Sequence, residues 1–216
     1  SNFLTPNYSI AYIYALKENP AEAMAWLDKF TSQAPNAGWK GQGAAFKGFY
    51  QCWLGRQNRG LDDLKKAEET LSSLGNVPDK ATIDWIKAFL YLDKGRFDLA
   101  KKSAKNGYDV LAKFYPQREA YFKSGYLGIL GLVEVKEGKI DSAKARMAEM
   151  LALLPKVRAL DLREERTFLA NLLQAEVFLA GGSPDKAIEV SEKTVQPAPP
   201  GMTDLLPLIA YNAPFL

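Results

Sequence analysis

The sequence contains no histidine and only one cysteine among 216 residues. Without histidine, no Ser-His-Asp triad or Cys-His dyad can form, and the most common side-chain metal ligand is missing. The single thiol, Cys52, excludes an internal disulfide and cannot build a zinc site alone. The sequence therefore predicts no catalytic residue, no metal and no cofactor.

Long apolar runs and an excess of charge of one sign are also lacking. No apolar stretch approaches the roughly 18 residues that a membrane-spanning helix needs, so no membrane span is predicted in this chain. The 28 basic residues are nearly balanced by 25 acidic residues, which gives a net charge of +3. Because acidic residues separate the lysine pairs, no basic stripe forms, and no nucleic-acid partner is predicted.

A short motif, Gly-x-x-Asp-x-Ala, recurs along the chain. It begins at Gly95, Gly138 and Gly182 and ends at Ala100, Ala143 and Ala187. The glycine can end one helix with a positive φ, and the aspartate can cap the start of the next helix, as Asp141 is expected to do. A connection this short predicts two antiparallel helices in a hairpin.

Two poorer copies of the motif extend the pattern towards the N-terminus. One ends at Ala23, and the poorest, residues 59–64, has Leu64 where alanine is expected. The five end points are then 41, 36, 43 and 44 residues apart, which indicates an internal repeat with loops of variable length.

A second set of small residues accompanies the first. Each lies twelve residues before an end point, and together they are Ala11, Cys52, Ala88, Gly131 and Ala175. Small residues on both helices of a hairpin allow their axes to approach closely. Proline follows twelve residues after three of the end points, at Pro35, Pro155 and Pro199. In these features residues 4–200 resemble the tetratricopeptide repeat (TPR) family.

The resemblance implies an all-α fold, a right-handed superhelical α-solenoid of about five antiparallel helix hairpins plus a C-terminal helix. The hairpins are predicted at about 5–35, 40–76, 80–115, 118–155 and 162–199, and the terminal helix at about 203–213. We expect residues 1–216 to form one repeat domain. We interpret the glycine-rich stretch 38–48 as a flexible connection between the first two repeats, since it follows no strand and does not match a phosphate-binding loop.

Aromatic residues occupy the first-helix positions that TPR-like stacks turn towards their concave wall. These positions lie one residue after and three residues before the small residue of each first helix. In the first three hairpins they are Tyr8, Tyr12, Phe49, Trp53, Trp85 and Phe89. They form the predicted ligand-binding set, and the alternative is that the rings pack between neighbouring helices as core.

The acidic pair Glu164-Glu165 stands between Arg163 and Arg166. We interpret these four residues as i,i+3 ion pairs on an exposed helix face, because no feature of the sequence indicates a cleft or a shifted pKa for acid-base chemistry. Cys52, which is flanked by aromatic residues, is interpreted as a buried structural thiol.

The functional hypothesis is a non-catalytic scaffold that binds a protein or peptide, an apolar or amphipathic segment, in an aromatic-lined concave groove. The alternative is a structural module that self-associates within a larger protein. An enzyme is disfavoured by the missing histidine and site motifs. We expect the initial Ser-Asn to be a cloning remnant, and no feature assigns a cellular compartment.

Overall fold

The all-α prediction is confirmed by the computed structural model, which describes residues 7, 10, 11, 13–15, 17 and 19–194 and forms no strand among them. The complete helices of this part of the chain are α1 (Pro20–Ser32), α2 (Ala37–Trp53), α3 (Gln57–Ser73), α4 (Val77–Asp93), α5 (Phe97–Phe114), α6 (Glu119–Lys136), α7 (Ile140–Leu153), α8 (Leu160–Ala180) and α9 (Pro184–Thr194). Two short 3-10 turns, Pro116–Arg118 and Leu154–Lys156, precede α6 and follow α7. The predicted terminal helix at 203–213 lies outside the described residues.

The chain divides into two compact units, Ser1–Ile83 and Asp84–Leu216. In the first unit α2 packs against α1 and α3. In the second unit α6 packs against α5, α7 and α8, and α8 packs against α9. Consecutive helices therefore pack on one another within each unit, as helical hairpins require.

Glycines with a positive φ end the helices where the motif predicted turns. The angles are 67° at Gly95, 77° at Gly138 and 74° at Gly182, and Gly55 and Gly75 adopt the same conformation. At Gly138, the amide of Lys139 donates to the Glu134 carbonyl over 2.7 Å, and the Gly138 amide donates to Val135 over 2.9 Å. This Schellman pattern satisfies carbonyls that a helix end would otherwise leave without partners.

The expected capping role of Asp141 is wrong. Lys139 occupies the N-cap position of α7, and its side chain makes no capping hydrogen bond. Asp141 is the second residue inside the helix. Its side chain is almost fully exposed and lies 3.3 Å from the ammonium group of Lys144. Asp141 therefore acts through its charge at the positive end of the helix rather than as a cap.

The second hairpin has a different register from the predicted one. Its turn is at Gly55, so the residue that corresponds to Ala100 and Ala143 is Gly60 rather than Leu64. A Cβ atom on Gly60 would lie 2.5 Å from the carbonyl oxygen of Gly48 and 2.7 Å from the Cys52 amide nitrogen. The backbones of α2 and α3 therefore approach closely at Gly48, Cys52 and Gly60, and Gly60 takes the place that the predicted pair gave to Leu64.

The glycine-rich stretch 38–48 is helical, and its interpretation as a flexible connection is wrong. It forms the first two-thirds of α2, which Asn36 caps by accepting a hydrogen bond from the Trp39 amide over 3.1 Å. Its glycines lie where neighbouring helices approach. A Cβ on Gly41 would lie 2.8 Å from the Leu71 side chain, and one on Gly43 would clash with Thr31. Close packing therefore explains these glycines without a loop.

Glycines also bring α6 close to α8 in the second unit. A Cβ on Gly128 would lie 2.6 Å from a methyl group of Leu169, and a Cβ on Gly131 would lie 2.5 Å from a methyl group of Leu173. Both leucines are fully buried in a cluster that also contains Ala143. In this part of the core, leucines of α8 therefore pack directly against the glycines of α6.

The small residues Ala100 and Ala143 are fully buried, as the repeat predicted. We expect Ala100→Leu and Ala143→Leu each to lower the free energy of unfolding by about 1–3 kcal/mol, because added methylenes overpack a close helix contact. Thermal or urea unfolding of both variants measures this effect. Midpoints equal to that of the parent chain would contradict the packing at these positions.

Candidate functional site

The predicted ligand-binding aromatics are distributed over both units. In the first unit Phe49 is 4% exposed, and its ring meets the Tyr50 ring edge-on, with centroids 5.4 Å apart. Trp53 is the last residue of α2, but its side chain is not among those described, and Tyr8 and Tyr12 lie outside the described residues. In this unit only Phe49 can therefore be placed, and it is buried.

In the second unit Trp85 and Phe89 occupy successive turns of α4. Trp85 is 2% exposed, whereas Phe89 is half-buried and packs against the cluster of Leu169 and Leu173. Phe89 therefore keeps part of its surface accessible, whereas Trp85 is almost fully buried. The ligand-binding role of the six aromatic residues remains a prediction.

Trp85 packs against Gly125 and Arg166. A Cβ on Gly125 would lie 2.9 Å from the Trp85 ring and 3.0 Å from the guanidinium carbon of Arg166. That guanidinium lies 5.8 Å from the centre of the Trp85 ring and 3.8 Å from the centre of the Tyr121 ring. Gly125 thus leaves the space in which an arginine side chain lies between two aromatic rings, an arrangement favoured by cation–π attraction.

Arg166 is the centre of a buried polar network. Its Nη1 donates to Glu165 over 2.7 Å and its Nε donates to the Tyr121 carbonyl over 2.9 Å. The Tyr121 hydroxyl donates to the same carboxylate over 2.9 and 3.0 Å. Glu165 is 6% exposed and Arg166 is 2% exposed, so the interpretation of an exposed ion-paired face is wrong for these two residues.

The sequence does not reveal this network, because its members come from distant parts of the chain. Tyr121 and Glu165 are 44 residues apart, and Glu165 and Arg166 look like two more charges on an amphipathic helix. The only local signal is Gly125 inside a helix, where glycine costs about 1 kcal/mol relative to alanine and usually has a packing reason.

A charged cleft lies between α1, α2 and α3 in the first unit. It encloses about 550 Å³ and is lined by Met24, Asp28, Lys47, Gln51, Arg56, Arg59, Asp62, Asp63 and Lys66. Eight of these nine residues are polar or charged, so the cleft suits a polar ligand rather than an apolar one. The sequence patterns did not predict it.

A smaller cavity of about 290 Å³ lies between α8 and α9, lined in part by Phe178 and Val190. From the apolar residues Leu205, Leu208, Ile209 and Tyr211, we also expect the terminal helix predicted at about 203–213 to pack against Val177 and Val190. Val177 is already buried, with 3% of its surface exposed. Because residues 203–213 lie outside the described part of the chain, that packing stays a prediction.

Surface ion pairs connect neighbouring hairpins of the second unit. The Lys101 ammonium lies 2.8 Å from the Glu137 carboxylate, and Lys139 donates to the other oxygen of that carboxylate. The hydrogen bond from Lys101, and then that from Lys139, lowers the pKa of Glu137, and the same bond to Glu137 raises the pKa of Lys101. Both shifts favour the charged forms, so Glu137 and Lys101 are charged at neutral pH and can form the ion pair between the hairpins.

Two kinds of specialised site are lacking in the described residues. These residues contain no group of three or more His, Cys, Asp or Glu placed to hold a metal ion. None of their helices combines the length and the apolarity that crossing a membrane requires.

Comparison with known proteins supports the repeat assignment. A family model described as tetratricopeptide repeat matches residues 5–36, the first predicted hairpin. This match confirms the resemblance predicted from the spacing of small residues. No curated protein and no solved structure matched the chain.

Proposed function

We propose that this chain is a non-catalytic scaffold that binds a partner protein. Tetratricopeptide repeats generally mediate protein–protein interactions, and the match at residues 5–36 carries the proposal. Further support comes from the helical hairpins that continue beyond the matched segment as far as residue 194. Stacked hairpins present side chains of successive helices on extended surfaces, which is how repeat proteins form binding faces.

We further propose that the partner contributes an apolar or amphipathic segment to the aromatic first-helix positions. Aromatic rings supply large contact areas with only two side-chain torsions to order. Phe89 is only half-buried and is a candidate for direct contact. Phe49 and Trp85 are buried, so they would shape the surface by supporting their neighbours.

The test compares Phe89→Ala with Phe114→Ala. Phe114 is the matched control, because it is half exposed and ends a second helix of the same unit. A partner is first captured on the immobilised chain and identified, and its binding to each variant is then titrated. We expect Phe89→Ala to cost about 2 kcal/mol, roughly a 30-fold loss of affinity, and Phe114→Ala to bind like the parent chain.

Circular dichroism confirms the fold of both variants before the titration. Phe89 is preferred to Trp85 as the probe, because removing a ring that packs on Arg166 would also disturb the core. We expect the affinity to change little with salt, since apolar contacts leave few charges to screen. Equal affinities for Phe89→Ala and the parent chain would assign the ring to the core instead.

The alternative, self-association, makes a different prediction for the isolated chain. Light scattering should then give a mass that rises with micromolar protein concentration. A monomer throughout that range would count against self-association as the main role.

A further inference from the structure

The cleft between α1, α2 and α3 contains charges that the protein itself leaves unpaired. Two lysines of its lining form ion pairs within it, Lys47 with Asp28 and Lys66 with Asp63 at 4.0 Å. Neither Arg56 nor Arg59 forms an ion pair with a described residue. With Asp62 as the remaining anion of the lining, the cleft has a surplus of one positive charge.

The floor of the cleft contains a buried amide whose oxygen has no partner. Gln51 is 4% exposed and lines the cleft, and its Oε1 makes no hydrogen bond to the described protein. A buried acceptor without a donor costs about 1–3 kcal/mol. Because the terminal torsion of glutamine is broad, the amide can turn its oxygen or its nitrogen towards a ligand.

The start of α3 adds to this positive character. In α5, α7 and α9 the second helical residue is an aspartate, namely Asp98, Asp141 or Asp185. In α3 that position is Asn58, and the first turn contains no acidic residue. The positive end of the α3 dipole is thus not compensated by its own side chains, and Arg56 and Arg59 lie at that end.

We propose that this cleft binds a peptide segment through a carboxylate group. Arg56 and Arg59 pair with the carboxylate, since guanidinium groups match its geometry, and the Gln51 amide bonds to the peptide backbone. A doubly charged phosphate would exceed the surplus of one positive charge and would face the unpaired Asp62, whereas one carboxylate balances that surplus. The ligand is therefore an acidic peptide rather than a phosphate ester.

This inference goes beyond the proposed function, because it uses a different face of α2. Lys47 and Gln51 are one turn apart and line the cleft, whereas Phe49 lies two residues from each of them, about 200° around the helix. The cleft can therefore bind a carboxylate whether or not the aromatic positions bind a partner.

The probe is N-acetyl-glutamate N-methylamide, with N-acetyl-glutamine N-methylamide as the neutral match. Each is titrated into the ¹⁵N-labelled chain, and the side-chain N–H signals of Arg56, Arg59 and Gln51 are followed by NMR. We expect saturable shifts with the glutamate probe in the millimolar range and about tenfold weaker binding of the glutamine probe. Raising sodium chloride from about 0.05 M to about 0.5 M should weaken the glutamate probe further.

The charge variant is Arg56→Gln with Arg59→Gln, and its matched control is Arg96→Gln with Lys102→Gln. Arg96 occupies the N-cap position of α5 as Arg56 does in α3, and all four substituted side chains are exposed, so both variants should fold. Each variant loses two positive charges, so the two have the same net charge. We expect the first variant to lose at least about tenfold in affinity and the control to keep it. Equal binding of both probes, equal losses in both variants, or tighter binding of inorganic phosphate would overturn the proposal.

The variant Gln51→Met should change stability and binding in opposite directions. Methionine has a similar volume and no buried acceptor, so the thermal midpoint should stay equal or rise while the affinity for the glutamate probe falls. Unchanged affinity in a folded Gln51→Met variant would overturn the assignment of the amide to the site.

Discussion

Replacing Glu165 with leucine should lower the free energy of unfolding by about 3–5 kcal/mol, the largest single effect expected in this protein. The change leaves Arg166, which is 2% exposed, without the carboxylate that pairs with it over 2.7 Å. It also removes the acceptor of the Tyr121 hydroxyl. Urea unfolding followed by circular dichroism measures the loss.

Two controls separate this effect from a general sensitivity to charge removal. The exposed pair of Lys123 and Glu149 has a similar separation, 2.9 Å, but its side chains are 38% and 43% exposed, so Glu149→Leu should cost at most about 1 kcal/mol. The double variant Glu165→Leu with Arg166→Met should recover much of the loss, because no buried charge remains unpaired. Equal costs for Glu165→Leu and Glu149→Leu would show that Arg166 reaches solvent.

Gly60→Ala should lower the free energy of unfolding by about 3 kcal/mol, although alanine is the better helix former by about 1 kcal/mol. Its Cβ would approach the backbone of Gly48 and Cys52 to within 2.5 and 2.7 Å, and backbone atoms inside a helix cannot move aside as a flexible side chain can. Thermal unfolding of the variant measures the cost.

Gly55→Ala is the matched control for this substitution. Gly55 has a φ of +78°, and no heavy atom beyond its chain neighbours lies within 4 Å of the position that its Cβ would take, so only its backbone conformation resists a side chain. That conformation costs about 1–2 kcal/mol for an alanine. A Gly60→Ala variant as stable as the parent chain would show that α2 and α3 are farther apart than they are here.

Helix ends and turns could be predicted well from the sequence, because local chemistry decides them. The hairpin predicted at about 80–115 ends with the helix Phe97–Phe114, and turns occur at Gly95, Gly138 and Gly182 as expected. Glycine alone adopts the positive φ of these turns without strain, so a single residue marks each one.

The register of the second hairpin could not be predicted in the same way. Gly48 and Cys52 are both small and lie one helical turn apart, so both satisfy the same spacing pattern. The position of the crossing depends on the backbone of the neighbouring helix, and Gly60 lies against the backbones of both Gly48 and Cys52. A periodic pattern fixes the face of a helix but not the turn at which two helices cross.

The sequence by itself determined the helical hairpins, their order and the turns at Gly95, Gly138 and Gly182, since these follow from φ preferences, proline and helical periodicity. The tertiary structure alone decided which polar groups are buried. Arg166 lies between two rings because Trp85, Tyr121 and Gly125 surround it from other helices. Gln51 lines a cleft because α1 and α3 leave space beside it. Because burial depends on residues tens of positions away in the chain, a local sequence pattern does not predict it.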